Sequence, residues 1–536
     1  MGKTCTSHPI TANELFTLYK VCRQLEFHPN TRGKALQSGI IAACGAGFLL
    51  FGYDQGIFGG LLDNEHFLRT FGYPNSTIQG QIVATYDIGC IIGTLVSMFY
   101  GDKLGRRRCI ITGSCILIVG AIPQTAAYSL APMIVGRVVA GIGNGMNTIA
   151  CPIMLSETAR AHDRGKSIVL QMVLNILGIV ISNWVNFGFT YIPNSSVSWR
   201  FPLAFQCFFA LVTISIVFFI PESPRWLVMG NRLNEAQDIL SRLLDKPYDD
   251  SIVVDEIQSL VATVHHEAEV QKSSPLKEIF TRNSKQQTLR RILLGAGTPF
   301  FQQVGGTNVI AYYLPIVLTR SVGLSNRLAL ILSAVDSISL MFWGAVAALL
   351  IDRFGRKKLM LMGVTASSFC FALVAVGLRY GGPDNKGMSI LAVVFIFMYY
   401  VFYGMSLLSI PYIYPAEINS QKMRNIGTSF ATTINWLFVY VVVVATPTGI
   451  ESIGWKYYML YAIFNFLFIP IIWYFYVETA NLSLEQVDRL FEIKHEAGKD
   501  MSWSAAYKVA QTEAPGSSDE TDKEGVKSGH GEEALT

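Results

Sequence analysis

Gly101-Asp102-Lys103-Leu104-Gly105-Arg106-Arg107-Arg108 and Ile351-Asp352-Arg353-Phe354-Gly355-Arg356-Lys357-Lys358 are two versions of one string, each placed after an apolar stretch. Each is trailed by a glutamate with an arginine seven positions on, Glu157 with Arg164 and Glu417 with Arg424. Both repeats are offset by about 250 to 260 residues, so the chain reads as two related halves, and a duplication of hydrophobic segments places any functional site between them.

Composition points the same way. The 536 residues are 51% hydrophobic and only 15% charged, with a mean hydropathy of +0.37. A water-soluble protein of this length would have difficulty hiding so much apolar surface, whereas a bilayer removes the need. A formal net charge of +4 argues against a nucleic-acid partner, because phosphate binding needs cations clustered on one face. The nine cysteines show no metal or disulfide spacing and read as small buried hydrophobes. No short apolar core before a small-residue cleavage site opens the chain, so no removable signal peptide is expected.

A window of about 20 apolar residues finds spans near 38–61, 79–100, 109–128, 130–153, 167–190 and 200–220, then 291–315, 327–350, 358–379, 388–412, 427–447 and 455–476. The expected fold is therefore an all-α membrane protein of twelve transmembrane helices in two pseudo-symmetric bundles of six. Its domains would be a cytoplasmic N-terminal segment (1–37), a first bundle (38–220), a cytoplasmic linker with surface helices (221–290), a second bundle (291–476) and a largely disordered cytoplasmic tail (477–536). The basic turns at Lys103 to Arg108, Arg160 to Lys166, Arg353 to Lys358 and Lys422 to Arg424 all fall on one side, which the positive-inside rule makes cytoplasmic. The sequons at Asn75 and Asn194 fall in loops on the opposite side, as glycosylation acceptors would; a third at Asn481 would be silent. In the linker, Leu233, Ala236, Ile239, Leu240 and Leu243 recur at helical spacing and predict an amphipathic surface helix. His265-His266-Glu267 lacks a further histidine at metal spacing and reads as a solvated face.

Several motifs in order then carry a resemblance. The doubled Asp-x-x-Gly-Arg turns, Pro221-Glu222-Ser223-Pro224-Arg225-Trp226-Leu227 after the sixth span, and Phe301-Gln302-Gln303-Val304-Gly305-Gly306-Thr307-Asn308 with Tyr312-Tyr313 in the seventh are similar to the sugar porter family of the major facilitator superfamily. Gly52-Tyr53-Asp54-Gln55-Gly56, Asn183-Trp184 and Ser198-Trp199-Arg200-Phe201-Pro202 resemble its fungal members, including the branch of glycerol/proton symporters. The resemblance implies alternating access, in which two bundles rock around one polar site, in a multi-pass protein of the plasma membrane with no enzymatic activity and no cofactor or metal.

Candidate residues fall into three groups. Asp102, Arg106, Glu157, Arg164, Asp352, Arg356, Glu417 and Arg424 are expected to form a cytoplasmic latch, because charge-assisted bonds between helix ends close that side and break when it opens. Orientation alone needs cations but not matching acids at repeated offsets. Gln302, Gln303 and Asn308 offer amide donors and acceptors to a hydroxylated substrate, and the resemblance adds Tyr313, Tyr412 and the pair Asn435-Trp436. The fifth span carries Met172 and Ile179 where many sugar porters place glutamines, while Gln171 and Asn175 stand at other registers, so a smaller polyol or a non-hexose sugar suits the chain as well as a hexose. Intramembrane charges are functional hypotheses by default. Asp54, Asp87 and Arg137 lie at one depth, and Asp54 with Arg137 matches the family's proton-coupling positions. One arginine does not neutralise two carboxylates, so either Asp54 or Asp87 is kept protonated. Asp336 is a second proton site, a substrate ligand or a structural acid. Proton symport is the expected mechanism, with uniport and a non-transporting sugar sensor as alternatives. The expected partners are a small sugar or polyol, protons and the bilayer.

Overall fold

The computed structural model of the protein describes residues 31–512 except 160–163, 193, 273–285, 383–384, 421–422, 483 and 499–500. Arg160, Lys422, the side chains of Arg164 and His266, most of the N-terminal segment and the tail from 513 onward lie outside the described residues. Within them, secondary structure is helical apart from one isolated bridge between Gly382 and Asn385.

Among the described residues, eleven helices are long and apolar enough to cross a membrane. The first six are Gly33–Leu61, Ser76–Leu104, Arg106–Thr125, Leu130–Thr158, Arg164–Phe189 and Val197–Phe219. The seventh span falls short of that length because it is delivered in two pieces, Thr288–Val304 and Thr307–Ile316, with a π-helical turn from Val317 to Ser321. The break is at Gly305-Gly306. Gly306 has φ +95°, and a Cβ there would sit 2.9 Å from the rings of Phe371 and Tyr461, so only glycine serves. The freed Gly305 carbonyl accepts from Asn465 Nδ2 at 2.9 Å. Asn326–Phe354 and Arg356–Tyr380 follow, then a tenth span broken between Lys386–Met405 and Ile410–Ile418, and finally Arg424–Ile453 and Trp455–Phe475.

Small residues let the helices of the first half approach closely. Gly141 and Gly145 of the fourth span press on the backbone of Tyr86 and Cys90 in the second, while Gly143 presses on Gly113 of the third. Any side chain at these positions would collide with backbone, which is the packing role expected of small residues on membrane helices. The halves meet where the second span packs on the eleventh, the fifth on the eighth and the first on the second piece of the seventh. At the end away from the basic turns, polar contacts cross between them. Thr319 Oγ1 and Arg320 Nη2 reach Asp63 at 2.8 and 3.4 Å, Arg320 also reaches Gln79 Oε1, and Arg327 stacks 4.5 Å over the Tyr191 ring. This end is closed.

On the basic end, Pro224–Met229, Leu233–Leu244 and Ser251–Lys272 are helices. Leu233–Leu244 buries Ala236, Ile239, Leu240 and Leu243 as its periodicity predicts, while Leu233 stays exposed. The expectation of a largely disordered tail from 477 needs correction. Leu484–Glu496 and Trp503–Thr512 are helices packed on each other, and Phe491 packs against Trp503 with centroids 5.2 Å apart. Val487, Leu490, Phe491, Ala506 and Ala510 are buried, so a stretch rich in charge by composition still has an apolar stripe to dock.

Candidate functional site

The two broken spans of the second half converge on one chain of amides. Asn308 Nδ2 donates to Gln303 Oε1 at 2.6 Å, and Gln303 Nε2 donates to Asn435 Oδ1 at 2.7 Å and to Gln302 Oε1 at 3.3 Å. Gln302 Nε2 then donates to Tyr403 Oη at 2.8 Å and to the Leu407 and Leu408 carbonyls, which the break in the tenth span leaves free. All four amide residues are buried, so each bond replaces water that the interior does not supply. Trp436, next to Asn435 in the chain, is buried and meets Phe51 of the first half, centroids 5.5 Å apart. Tyr412 keeps 38% of its surface exposed. Tyr313 donates its hydroxyl to the Val443 carbonyl at 2.9 Å and is wholly buried, which ties the seventh span to the eleventh.

The first half presents a different wall. Met172, Ile176 and Ile179 are buried and apolar, Asn175 Nδ2 donates to the Phe48 carbonyl at 3.3 Å, and Gln171 is buried with neither end of its amide meeting a protein partner. Asn183 Nδ2 crosses to Ser337 Oγ of the eighth span at 2.8 Å.

A charged cluster lies within the first half. Arg137 Nη1 donates to both oxygens of Asp54, at 3.1 and 2.9 Å, and neither side chain has any exposed surface. Its Nε and Nη2 donate to the Ile82 and Val83 carbonyls, and its plane lies 4.3 Å from the Phe58 and Tyr86 centroids. A cation this dry is held by one anion, two carbonyls and two ring faces. Asp87 belongs to the same cluster, yet neither of its oxygens has a protein donor; the same holds for Asp336 in the eighth span.

The repeated turns form two matching networks. Arg106 donates to Glu157 through Nε and Nη2, at 3.0 Å each, and to Asp102 at 2.9 Å; Arg356 donates to Glu417 at 3.0 and 2.7 Å and to Asp352 at 3.0 Å. These bonds stay inside one half each, so each network ties helix ends within its own bundle. The geometry is local: each arginine opens a helix one residue past a glycine at φ +88° or +84°, and its fork turns to the helix of its own bundle. Sequence reasoning missed Glu222 and Glu478. Glu222 accepts from the backbone N–H of Arg106 and Arg107 at 3.0 and 3.2 Å, and Glu478 accepts from Arg356 and Lys357 at 2.8 and 3.1 Å. Both cap a helix N-terminus, where carboxylates are favoured. Burial pushes the Glu222 carboxyl up, against the pull of these backbone donors and of Arg106. The signal was legible, since both glutamates follow the last span of a half at the spacing of the other repeats. Arg424 opens the eleventh span. Asn75 and Asn194 are exposed at the closed end, where Asn75 also caps the second span by accepting from Ile78 N at 2.9 Å.

The chain matches the family model "Sugar (and other) transporter" over residues 39–491. Among curated proteins it is similar to the MFS-type transporter oryC of Aspergillus oryzae, 40% identical over 84% of this chain and 85% of that protein. It is likewise similar to the Sugar transporter STL1 of Saccharomyces cerevisiae, 37% identical over 88% and 84%. Among solved structures it superposes on the proton:xylose symporter XylE bound to 6-bromo-6-deoxy-D-glucose, with a TM-score of 0.72, 23% identity, and coverage of 86% of this chain and 100% of that one. Twelve spans in two halves, a broken seventh helix and a buried amide chain thus meet a family model that runs from the first span to the helix beyond the twelfth, and the chain belongs to the sugar transporter family of the major facilitator fold, a multi-pass membrane transporter and not an enzyme.

Proposed function

We propose that the protein carries a sugar or polyol into the cell by alternating access, coupled to protons, in the plasma membrane. The observation that carries the substrate reading is the chain Gln302, Gln303, Asn308 and Asn435 at the meeting of two broken helices. Each amide both donates and accepts, as a ring of hydroxyls requires, and unwound helices are where transporters place their substrate sites. Trp436 and Tyr412 supply ring surface for the apolar face of a sugar, and Tyr313 sets the position of the seventh span. The apolar wall of Met172 and Ile179 favours a substrate with one hydroxylated edge over a hexose bonded on all sides. The relative STL1 is named a sugar transporter and the structural neighbour XylE a proton:xylose symporter.

Coupling rests on Asp54, Arg137 and Asp87. A charge pair in a dry site responds to one proton by breaking or forming, so proton entry biases one conformation over another. Asp336 is a second buried acid in the other half. Arg106 and Arg356, with Asp102, Glu157, Asp352 and Glu417, keep the cytoplasmic end of each bundle rigid while the bundles rock; Arg164 and Arg424 belong to the same repeated device. Asn75 and Asn194 are glycan acceptors on the outer face. Uptake of labelled glycerol, xylose and glucose in a transporter-null fungal host, with and without a protonophore, tests the reading. Uphill accumulation that the protonophore abolishes is expected; equilibration without accumulation in energised cells would reject coupling.

A further inference from the structure

We propose that Asp87, rather than Asp54, holds the coupling proton while the end away from the basic turns is closed, and that Tyr312 of the seventh span covers it. This rests on the reading of a proton symporter. Asp54 receives two hydrogen bonds from Arg137 and is fully paired as an anion. Arg137 also donates to the Ile82 and Val83 carbonyls. Asp87 is equally buried, and neither oxygen has a protein donor. An ionised carboxylate without donors in such a site costs several kcal/mol, whereas the neutral acid loses only a hydrogen bond or two, so the proton resides on Asp87.

A second observation comes from the other half. The Tyr312 hydroxyl is buried too, and it comes near Gln55 without closing a hydrogen bond. Asp87 lies within electrostatic range of both Tyr312 and Tyr313, across the boundary between the halves. The Tyr313 hydroxyl is occupied by the Val443 carbonyl, which leaves Tyr312 as the donor at hand. Around Asp87 stand Asp54 from the first span, Arg137 from the fourth, Tyr312 and Tyr313 from the seventh, and Tyr86 and Cys90 on its own helix. Among the described residues, no ionisable group of the third or eleventh span figures among its charged neighbours.

The step that follows is a single proton transfer. When the basic end admits water, the Asp87 carboxyl gives its proton to that water and becomes a carboxylate. The new anion accepts the Tyr312 O–H and competes with Asp54 for Arg137, so one guanidinium serves two carboxylates. Tyr312 sits on the short piece after the Gly305-Gly306 break, and its backbone carbonyl lies against Gly59 of the first span. Proton loss is thereby felt by the element that closes the far end.

Infrared spectroscopy of the reconstituted protein, without substrate, reads this directly. At neutral pH the wild type should show the carbonyl band of a protonated buried carboxyl, shifting in heavy water. Asp87→Asn should lose that band and Asp54→Asn/Arg137→Met, which leaves no cation for Asp87 to neutralise, should keep it, while Asp336→Asn removes a separate one. A spectrum of Asp87→Asn identical to wild type, or a band that vanishes in Asp54→Asn/Arg137→Met instead, overturns the proposal. Should Asp87→Asn fail to fold, Tyr312→Phe is read in its place: the Asp87 band is expected to move in frequency, and an unmoved band is the contrary result. Transport insensitive to a protonophore would sink the symport reading and leave the band assignment standing; a misassigned band leaves symport intact.

Discussion

Asp54→Asn removes the anion from a pair that has no solvent on either side. The Nη1 to Oδ2 separation is 2.9 Å and both side chains have 0% exposure. At an effective dielectric near 20 the attraction is roughly 4 to 6 kcal/mol, and stripping one partner from a buried pair costs about 3 to 5 kcal/mol because the other charge stays uncompensated. Arg137→Met leaves an acid behind instead, and an acid escapes by taking up a proton, so its loss should be smaller. Asp54→Asn/Arg137→Met removes both charges and should recover most of the stability lost in Asp54→Asn. The assay is thermal unfolding of purified protein for wild type, each single variant and the double, giving the coupling energy of the cycle. Ionisation of Asp87 in place of Asp54 would recover part of the loss, so the cycle is repeated on an Asp87→Asn background, where the coupling should rise. Accumulation of labelled glycerol in cells is followed in parallel and should fall to the equilibrium level in Asp54→Asn. A coupling energy near zero on both backgrounds, with uphill accumulation intact, would refute the reasoning.

Gln303→Ala leaves Asn435 Oδ1 and Asn308 Nδ2 without partners and should weaken apparent affinity for the transported compound by about 1 to 3 kcal/mol, with Asn308→Ala close behind. Unaltered uptake kinetics in both would remove the seventh span from the site. Glu222→Gln and Glu478→Gln each exchange charge-assisted acceptors for a neutral amide at a helix start and should each lower stability by about 1 to 2 kcal/mol, read as matching drops in melting temperature; an effect in one half alone contradicts the paired role. Gly52→Val would drive a side chain into the Asn175 carbonyl at the contact of the first and fifth spans, at a cost above roughly 3 kcal/mol. Normal expression and a wild-type melt would show that this contact yields.

Much of the candidate site is legible in the sequence. Gln303, Asn308 and Asn435 were readable because polar amides stand out in an apolar run, and the Gly305-Gly306 pair announced a break. Their hydrogen bonds to one another were not readable, since Asn435 lies more than a hundred residues away and its approach depends on how the seventh span packs on the eleventh. The arginine networks were legible in part: the repeated offsets put Arg106, Glu157 and Asp102 in one group, but nothing in linear order says whether an arginine turns toward its own bundle or the other one.

Periodic hydrophobicity, basic turns and duplication sufficed for twelve spans in two halves, because a bilayer allows few ways to satisfy a backbone and hydropathy reports that constraint residue by residue. Which carboxylate is paired and which is left without a donor belongs to the tertiary structure alone. Asp54 and Asp87 are the same residue type at one depth; only the packing of the first, second and fourth spans points the fork of Arg137 at the former and leaves the latter without a donor. Protonation follows from the donors within about 3 Å of an oxygen, and chain order does not specify those neighbours.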